Sequence, residues 1–201
     1  MHIIRTVFAC SVLLIYSNIT KADATSPLNP PPAESFNNFQ AFEISPSELP
    51  EQQRGQDRAI KVAQKIDAAL EKRIGTQIKD WTRGAPTRIL LIEPRILNIK
   101  AVGGATRFFA GAMAGDSRVT MRVKFTDKAS GKVVAEPEFY QHAKAVAGAW
   151  SFGGTDNAML NRIGSLIGTY IEANYEKTIG GAASDEAEEK SHQTDSPTKT
   201  E

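Results

Sequence analysis

Glu136 and Glu138 are the closest approach in this sequence to a catalytic carboxylate pair. They lie two residues apart, so on a strand their side chains share one face, where two carboxylates could perform acid–base chemistry. We predict a hairpin in which Phe125 pairs with Val133, so that paired residue numbers sum to 258. This register places Arg122 opposite Glu136, and opposite charges across a hairpin stabilise it modestly. The pattern therefore favours a structural ion pair over catalysis.

A second candidate is a hydrolytic trio of Ser117, His142 and Asp116. The same register places His142 level with Asp116 and beside Ser117, which are the residue types of a Ser–His–Asp hydrolase. Such catalysis also needs an exposed nucleophile and an oxyanion hole, and the sequence has no nucleophile elbow. We keep this hydrolase as the rival hypothesis and expect a protein that is not an enzyme.

Composition excludes several other kinds of site. A single cysteine and three scattered histidines exclude a cysteine-cluster metal site and a histidine-rich metal centre. There is no P-loop lysine and no G-x-G-x-x-G motif, so we expect no cofactor. The net charge of +1 argues against a dedicated nucleic-acid binder.

Two segments rich in glycine and aromatic residues, 103–115 and 145–154, are the most unusual feature. The register brings them together at the end of the hairpin opposite its turn, with Phe108 level with Trp150. Either the rings pack beneath helices as core, or they form an exposed apolar patch for a partner or a membrane. We predict partner binding by four aromatic residues: Phe108, Phe109, Trp150 and Phe152.

The elements that position these residues follow from hydrophobic periodicity. The predicted elements are a first strand within 36–44, a helix over 57–81, a strand over 88–99, a hairpin of strands 117–126 and 132–143, and a last helix from Thr155 or Asp156. The apolar run 89–92 shows no alternation of apolar and polar residues, which predicts that both faces of this strand are covered. Pro94 has no N–H to donate to a neighbouring strand, which predicts an edge or a bulge at that position. The order β-α-β-β-β-α predicts an α+β fold, an antiparallel sheet with two helices packed on one face. A parallel crossover through helix 57–81 is the alternative.

The ends of the chain have different compositions from its middle. Residues 1–24 combine a basic start, an apolar run and an A-x-A end, which predicts a secretory signal peptide and a periplasmic or secreted protein. Residues 25–35 predict a proline-rich tether, 36–179 a single domain, and 180–201 a disordered acidic tail. Cys10 lies inside the apolar run rather than after it, so we do not expect lipidation.

The run from Leu90 to Phe139 resembles bacterial exported proteins of domain-of-unknown-function family 4410. The shared pattern is a strand, a glycine-rich segment and a hairpin whose turn reads D-x-x-[ST]-G, here 127–131. The likeness covers about 36–178, and the lipoprotein-like family of unknown function 3313 is the second match. The resemblance implies export. It implies no established activity and no functional residues.

We therefore expect an exported binding or cell-envelope assembly module. Its partner would be an unidentified envelope protein or a second copy of the chain. The alternative is a membrane-associating oligomer that acts through the glycine- and aromatic-rich edge without spanning the bilayer.

Overall fold

The computed structural model describes residues 28–100, 117–143 and 154–185. The strands and helices are β1 (Leu28–Asn29), β2 (Ala41–Ile44), α1 (Asp57–Trp81), β3 (Ile89–Lys100), β4 (Ser117–Asp127), β5 (Val133–Ala135), β6 (Glu138–Ala143), α2 (Gly154–Ala173) and β7 (Gly181–Ala182). Two short 3₁₀ helices, Phe36–Asn38 and Glu51–Gln53, precede β2 and α1. The predicted signal peptide lies outside the described residues.

The main sheet has the order β2-β3-β4, and both β5 and β6 pair with β4 on its other side. β2 and β3 are parallel and are joined by α1, whereas β3–β4, β4–β5 and β4–β6 are antiparallel. The sheet is therefore mixed, because the crossover through α1 returns the chain parallel to its first strand. The predicted α+β fold with two helices on one face of the sheet is confirmed.

A single hydrophobic core lies between the sheet and the two helices. Each helix buries one stripe of apolar side chains with the predicted spacing of three or four residues. The stripes comprise Ala59, Val62, Ala63, Ile66, Leu70, Ile74 and Ile78 on α1, and Met159, Leu160, Ile163, Leu166, Ile167, Tyr170 and Ile171 on α2. The helices approach so closely that a Cβ on Gly164 would lie 2.7 Å from the Cβ of Ala69.

β3 is covered on one face only. Leu90 and Ile92 are fully buried, whereas Ile89 and Leu91 are half-buried. The prediction of cover on both faces is wrong, because both helices pack on the same side of the sheet. The side chains of Ile89 and Leu91 therefore lie on the open face of the sheet, where they are only half-buried.

Pro94 lies within an interior strand rather than at an edge. Its carbonyl accepts from the Glu48 amide at 2.9 Å, so its ring nitrogen also faces the β2 side. β2 has already ended there, at Ile44, so no ladder bond needs the missing N–H. A bulge follows between Ile96 and Asn98.

The segments on either side of the predicted domain are part of the fold. β1 and β7 pair with each other, and the Asn29 side chain exchanges two hydrogen bonds with the Glu138 backbone, at 2.7 and 2.9 Å. The amide of Tyr140 donates to the Ala183 carbonyl at 2.8 Å. The outer edge of β6 is thereby covered, which protects it from pairing with other chains. Residues 28–35 and 180–185 accordingly belong to the domain, where we predicted tether and tail.

Candidate functional site

The aromatic residues predicted to bind a partner lie outside the described residues. They are Phe108, Phe109, Trp150 and Phe152. The structure shows the strand ends that flank their segments.

These strand ends meet at one end of the sheet. Lys100, the last residue of β3, pairs with Arg118, and Ser117, the first residue of β4, pairs with Ala143 at the end of β6. Residues 101–116 and 144–153 therefore connect to the sheet at the same end, next to one another. We call this the segment end of the sheet.

The hairpin register differs from the predicted one by two residues. Arg122 pairs with Glu138, not Glu136, and its Nε donates to the Glu138 carboxylate at 2.9 Å. This pairing raises the pKa of Arg122. The register differs because the pairing shifts near the turn, between the Thr126–Val133 and Phe125–Ala135 pairs, and Phe125–Ala135 already has the sum of 260 that continues into β6. The prediction of a structural ion pair with Arg122 is confirmed, but its carboxylate belongs to Glu138 rather than to Glu136.

The register also separates the members of the proposed hydrolytic trio. Ser117 is completely buried on the core side of the sheet. His142 pairs with Arg118, the neighbour of Ser117, so its side chain belongs to the opposite face. Asp116 lies outside the described residues. A buried hydroxyl and an imidazole on opposite faces do not form a nucleophile–base pair.

The face of the sheet away from the helices is open and polar. His142 stacks there on Tyr140, with ring centroids 5.7 Å apart. From the hairpin turn to the middle of this face, charged side chains are paired. The pairs are Lys128–Glu43 at 2.7 Å, Arg95–Glu48 at 2.8 Å, and Arg122–Glu138. These exposed pairs contribute little stability individually, but they neutralise the middle of the face.

At the segment end, the open face carries a basic row of Lys100, Arg118 and His142, aligned across β3, β4 and β6. Lys100 and Arg118 are exposed, and neither has a carboxylate oxygen within 4.0 Å among the described residues. The sequence analysis missed this row. The alternating polar residues of β4 indicated the position of Arg118. The position of Lys100 depends on the register between β3 and β4, and no sequence pattern predicts that register.

A cluster of paired charges lies at the other end of the sheet. Arg88 donates to both Glu34 oxygens at 3.0 Å and to Asp127 at 2.9 Å, and its guanidinium lies 4.3 Å from the ring centre of Phe39. Its hydrogen bonds lower the pKa of both carboxyls. This cluster joins the N-terminal segment to the hairpin turn. It is structural, because its hydrogen bonds and ion pairs are made within the fold.

Possible metal ligands are not clustered in the described part of the chain. Within 28–100, 117–143 and 154–185, no three His, Cys, Asp or Glu side chains form a group that could hold a metal ion. In the same part of the chain, no helix has both the length and the apolar character needed to cross a membrane.

The profile of the family described as Domain of unknown function (DUF4410) matches residues 35–149, more than half of the chain. The chain belongs to the DUF4410 family. This match spans α1, the main sheet, the segment 103–115 and the first half of the segment 145–154, so it confirms the resemblance to family 4410. No curated protein matches the DUF4410 chain significantly.

Several solved structures are distantly similar to this DUF4410 protein. The hypothetical protein CT253 from Chlamydia trachomatis is 11% identical, with a TM-score of 0.41 over 68% of this chain and 98% of its own. A PelC dodecamer variant from Paraburkholderia phytofirmans is 10% identical, with a TM-score of 0.37 over 68% and 90%. A putative lipoprotein from Caulobacter crescentus is 11% identical, with a TM-score of 0.37 over 67% and 86%. The family assignment rests on the profile match alone.

Proposed function

We propose that this DUF4410 protein is an exported, non-enzymatic binding module whose partner surface lies at the segment end of the sheet. The observation that carries the proposal is the meeting of strand ends, in which Lys100 pairs with Arg118 and Ser117 pairs with Ala143. This arrangement attaches both glycine- and aromatic-rich segments next to each other. It also places them beside the exposed basic row.

The aromatic residues of these segments are the proposed anchors. Large aromatic side chains supply much of the binding energy in protein interfaces, often about 2 kcal/mol or more each. The described core already contains its own aromatic cluster. Phe36, Phe125, Phe139 and Tyr170 pack there with neighbouring ring centroids 4.9 to 6.3 Å apart. We therefore assign Phe108, Phe109, Trp150 and Phe152 to the partner surface.

Binding rather than catalysis is supported by the positions of Ser117 and His142. The buried hydroxyl of Ser117 faces the core, and His142 lies on the other face of the sheet. The proposed partner is a protein of the cell envelope or a second copy of this chain.

Export is proposed from the sequence of residues 1–24, with cleavage after Ala24. Cell fractionation followed by N-terminal sequencing tests it. The expected result is periplasmic or secreted protein that begins at Thr25. Cytoplasmic protein with an intact Met1 would contradict export.

Binding is tested by quantitative capture from envelope extracts, with sedimentation to detect self-association. We expect Phe109→Ala and Trp150→Ala to reduce capture or self-association at least tenfold relative to the parent protein, since a loss of about 1.4 kcal/mol or more is a factor of ten. Val133→Ala, exposed on β5 beside the hairpin turn and therefore at the opposite end of the sheet, is the matched control. Unchanged binding by both aromatic variants would reject the proposed surface.

A further inference from the structure

The two permanent cations of the basic row lie on the open sheet face without an anionic partner. Lys100, the last residue of β3, pairs with Arg118 of β4, and both side chains are exposed. Among the described residues, neither cation has a carboxylate oxygen within 4.0 Å. Two adjacent uncompensated cations attract anions, so this end of the face is suited to an anionic ligand that the described part of the chain does not supply.

A second row of side chains lies beside the basic row on the same face. It consists of Asn98, Thr120 and Tyr140, which pair across β3, β4 and β6. We call it the neutral row. Each of its side chains carries an uncharged hydrogen-bonding group, and none of them makes a hydrogen bond within 28–100, 117–143 or 154–185. The ring of Tyr140 is exposed and stacks on His142 of the basic row.

The basic row and the neutral row together form a patch of limited size. Neighbouring strands lie about 4.8 Å apart, so each row extends about 10 Å across the sheet, and residues two apart on a strand place the rows about 7 Å from each other. Beyond the neutral row the charges are compensated, because Arg122 pairs with Glu138 and Arg95 pairs with Glu48. The patch therefore has cations along one side and neutral hydrogen-bonding groups along the other.

We propose that this patch binds an acidic polysaccharide, whose sugar carboxylates pair with the basic row and whose hydroxyl groups bond to the neutral row. Carboxylates form charge-assisted hydrogen bonds with the Lys100 and Arg118 side chains. Hydroxyl groups complement the amide, hydroxyl and phenol groups of the neutral row, and the exposed part of the Tyr140 ring can pack against the apolar face of a sugar ring. This ligand is additional to the protein partner proposed above and does not require the aromatic residues of the two glycine-rich segments.

An acidic peptide fits this part of the sheet less well. Extended peptides often bind by pairing with a free strand edge. The outer edge of β6 is already covered, since the Tyr140 amide donates to the Ala183 carbonyl at 2.8 Å. The patch instead offers side chains on a sheet face, and its neutral row matches the many hydroxyl groups of a glycan.

Binding of defined polymers to the purified full chain, measured by calorimetry, tests the proposal. The probes are polygalacturonate, neutral dextran, polyglutamate and vesicles of phosphatidylglycerol. We expect polygalacturonate to bind with an affinity that falls as the salt concentration rises, and the other probes to bind at least about tenfold more weakly. Equal or tighter binding of polyglutamate would overturn the proposal in favour of an acidic protein partner, and equal or tighter binding of the vesicles would overturn it in favour of a membrane. Binding of dextran as tight as that of polygalacturonate, or no binding of polygalacturonate, would also overturn it.

Variants of exposed residues test the two rows separately. Lys100→Gln and Arg118→Gln should each weaken polygalacturonate binding about two- to fivefold, as expected for loss of one exposed ion pair. Tyr140→Ala should weaken it about threefold or more through loss of the ring contact. Lys61→Gln, exposed on α1, removes the same charge from the helix side and is the matched control, which should bind like the parent.

Equal affinities in the parent and Arg118→Gln would contradict pairing at the basic row, and equal affinities in the parent and Tyr140→Ala would contradict sugar recognition by the neutral row. The assay uses only the purified chain and a polymer. A failure of partner capture therefore leaves this result unaffected, and the proposed function and the polysaccharide site can fail independently.

Discussion

Asn174 holds the C-terminal segment against the domain, and its replacement should release that segment. The residue is completely buried just after α2. Its amide nitrogen donates to the carbonyls of Tyr170 and Gly180 at 2.8 and 2.9 Å, and its oxygen accepts from the amides of Ile179 and Gly180 at 2.9 and 2.8 Å. The four bonds together fix the turn that leads into β7.

The expected cost follows from these bonds. Each contributes about 1 kcal/mol net, and buried groups left unpaired add to the loss, so Asn174→Ala should lower the free energy of unfolding by about 3–5 kcal/mol. Asn174→Asp keeps the shape and both accepting bonds, but it places a carboxylate oxygen against two carbonyls. It should therefore destabilise the protein at least as strongly at neutral pH.

Urea denaturation and amide hydrogen exchange measure the effect. Besides the lower stability, the amides of Gly180 and Tyr140 should lose protection, because the Tyr140 amide donates to Ala183 in the segment that Asn174 anchors. Asn161→Ala, at an exposed position on α2, is the control and should change stability by less than about 0.5 kcal/mol. A loss below about 1 kcal/mol in Asn174→Asp, with Tyr140 still protected, would refute the anchoring role.

Two further predictions concern helix packing and acid stability. Gly164→Ala should cost about 1–3 kcal/mol in urea denaturation, because its Cβ would lie 2.9 Å from the Leu70 backbone nitrogen. Gly75→Ala on α1 should cost less, because the nearest atoms are the carboxylate end of the exposed Glu71 side chain, which can move away. Similar losses in the two variants would contradict this account. Arg88 lowers the pKa values of Glu34 and Asp127 below their ordinary values of 4.5 and 3.8. Their ion pairs with Arg88 therefore stabilise the fold fully above the ordinary pKa values, and this stabilisation is lost as the pH falls through the lowered pKa values. Urea midpoints measured against pH should therefore fall less steeply on acidification in Arg88→Gln than in the parent, and parallel curves would refute this.

The sequence predicts an element well where its hydrophobic periodicity fits only one type of secondary structure. α1 begins at Asp57 and ends at Trp81 as expected, because its apolar residues recur at helical spacing throughout. The hairpin turn is also confirmed, with Gly131 at φ 71°, a conformation that suits glycine.

The hairpin register shows where such patterns stop being informative. Sums of 258 and 260 keep every side chain of the hairpin on the same face, because a slip of two residues preserves the alternation. The irregularity near the turn, between the Thr126–Val133 and Phe125–Ala135 pairs, decides between them, and it leaves no periodic signal. Composition misleads in a similar way at residues 28–35 and 180–185. These read as linker and tail, yet they are held by side-chain bonds of Asn29 and Asn174.

The central claim is that the aromatic residues of the two glycine-rich segments serve a partner surface and not the core. The most direct test is the free energy of unfolding of Trp150→Ala and Phe109→Ala, compared with Phe139→Ala, whose ring is completely buried. A surface role predicts losses under about 1 kcal/mol for the first two variants, against about 3–5 kcal/mol for Phe139→Ala. Losses of about 3–5 kcal/mol in all three would place these rings in the core and contradict the claim.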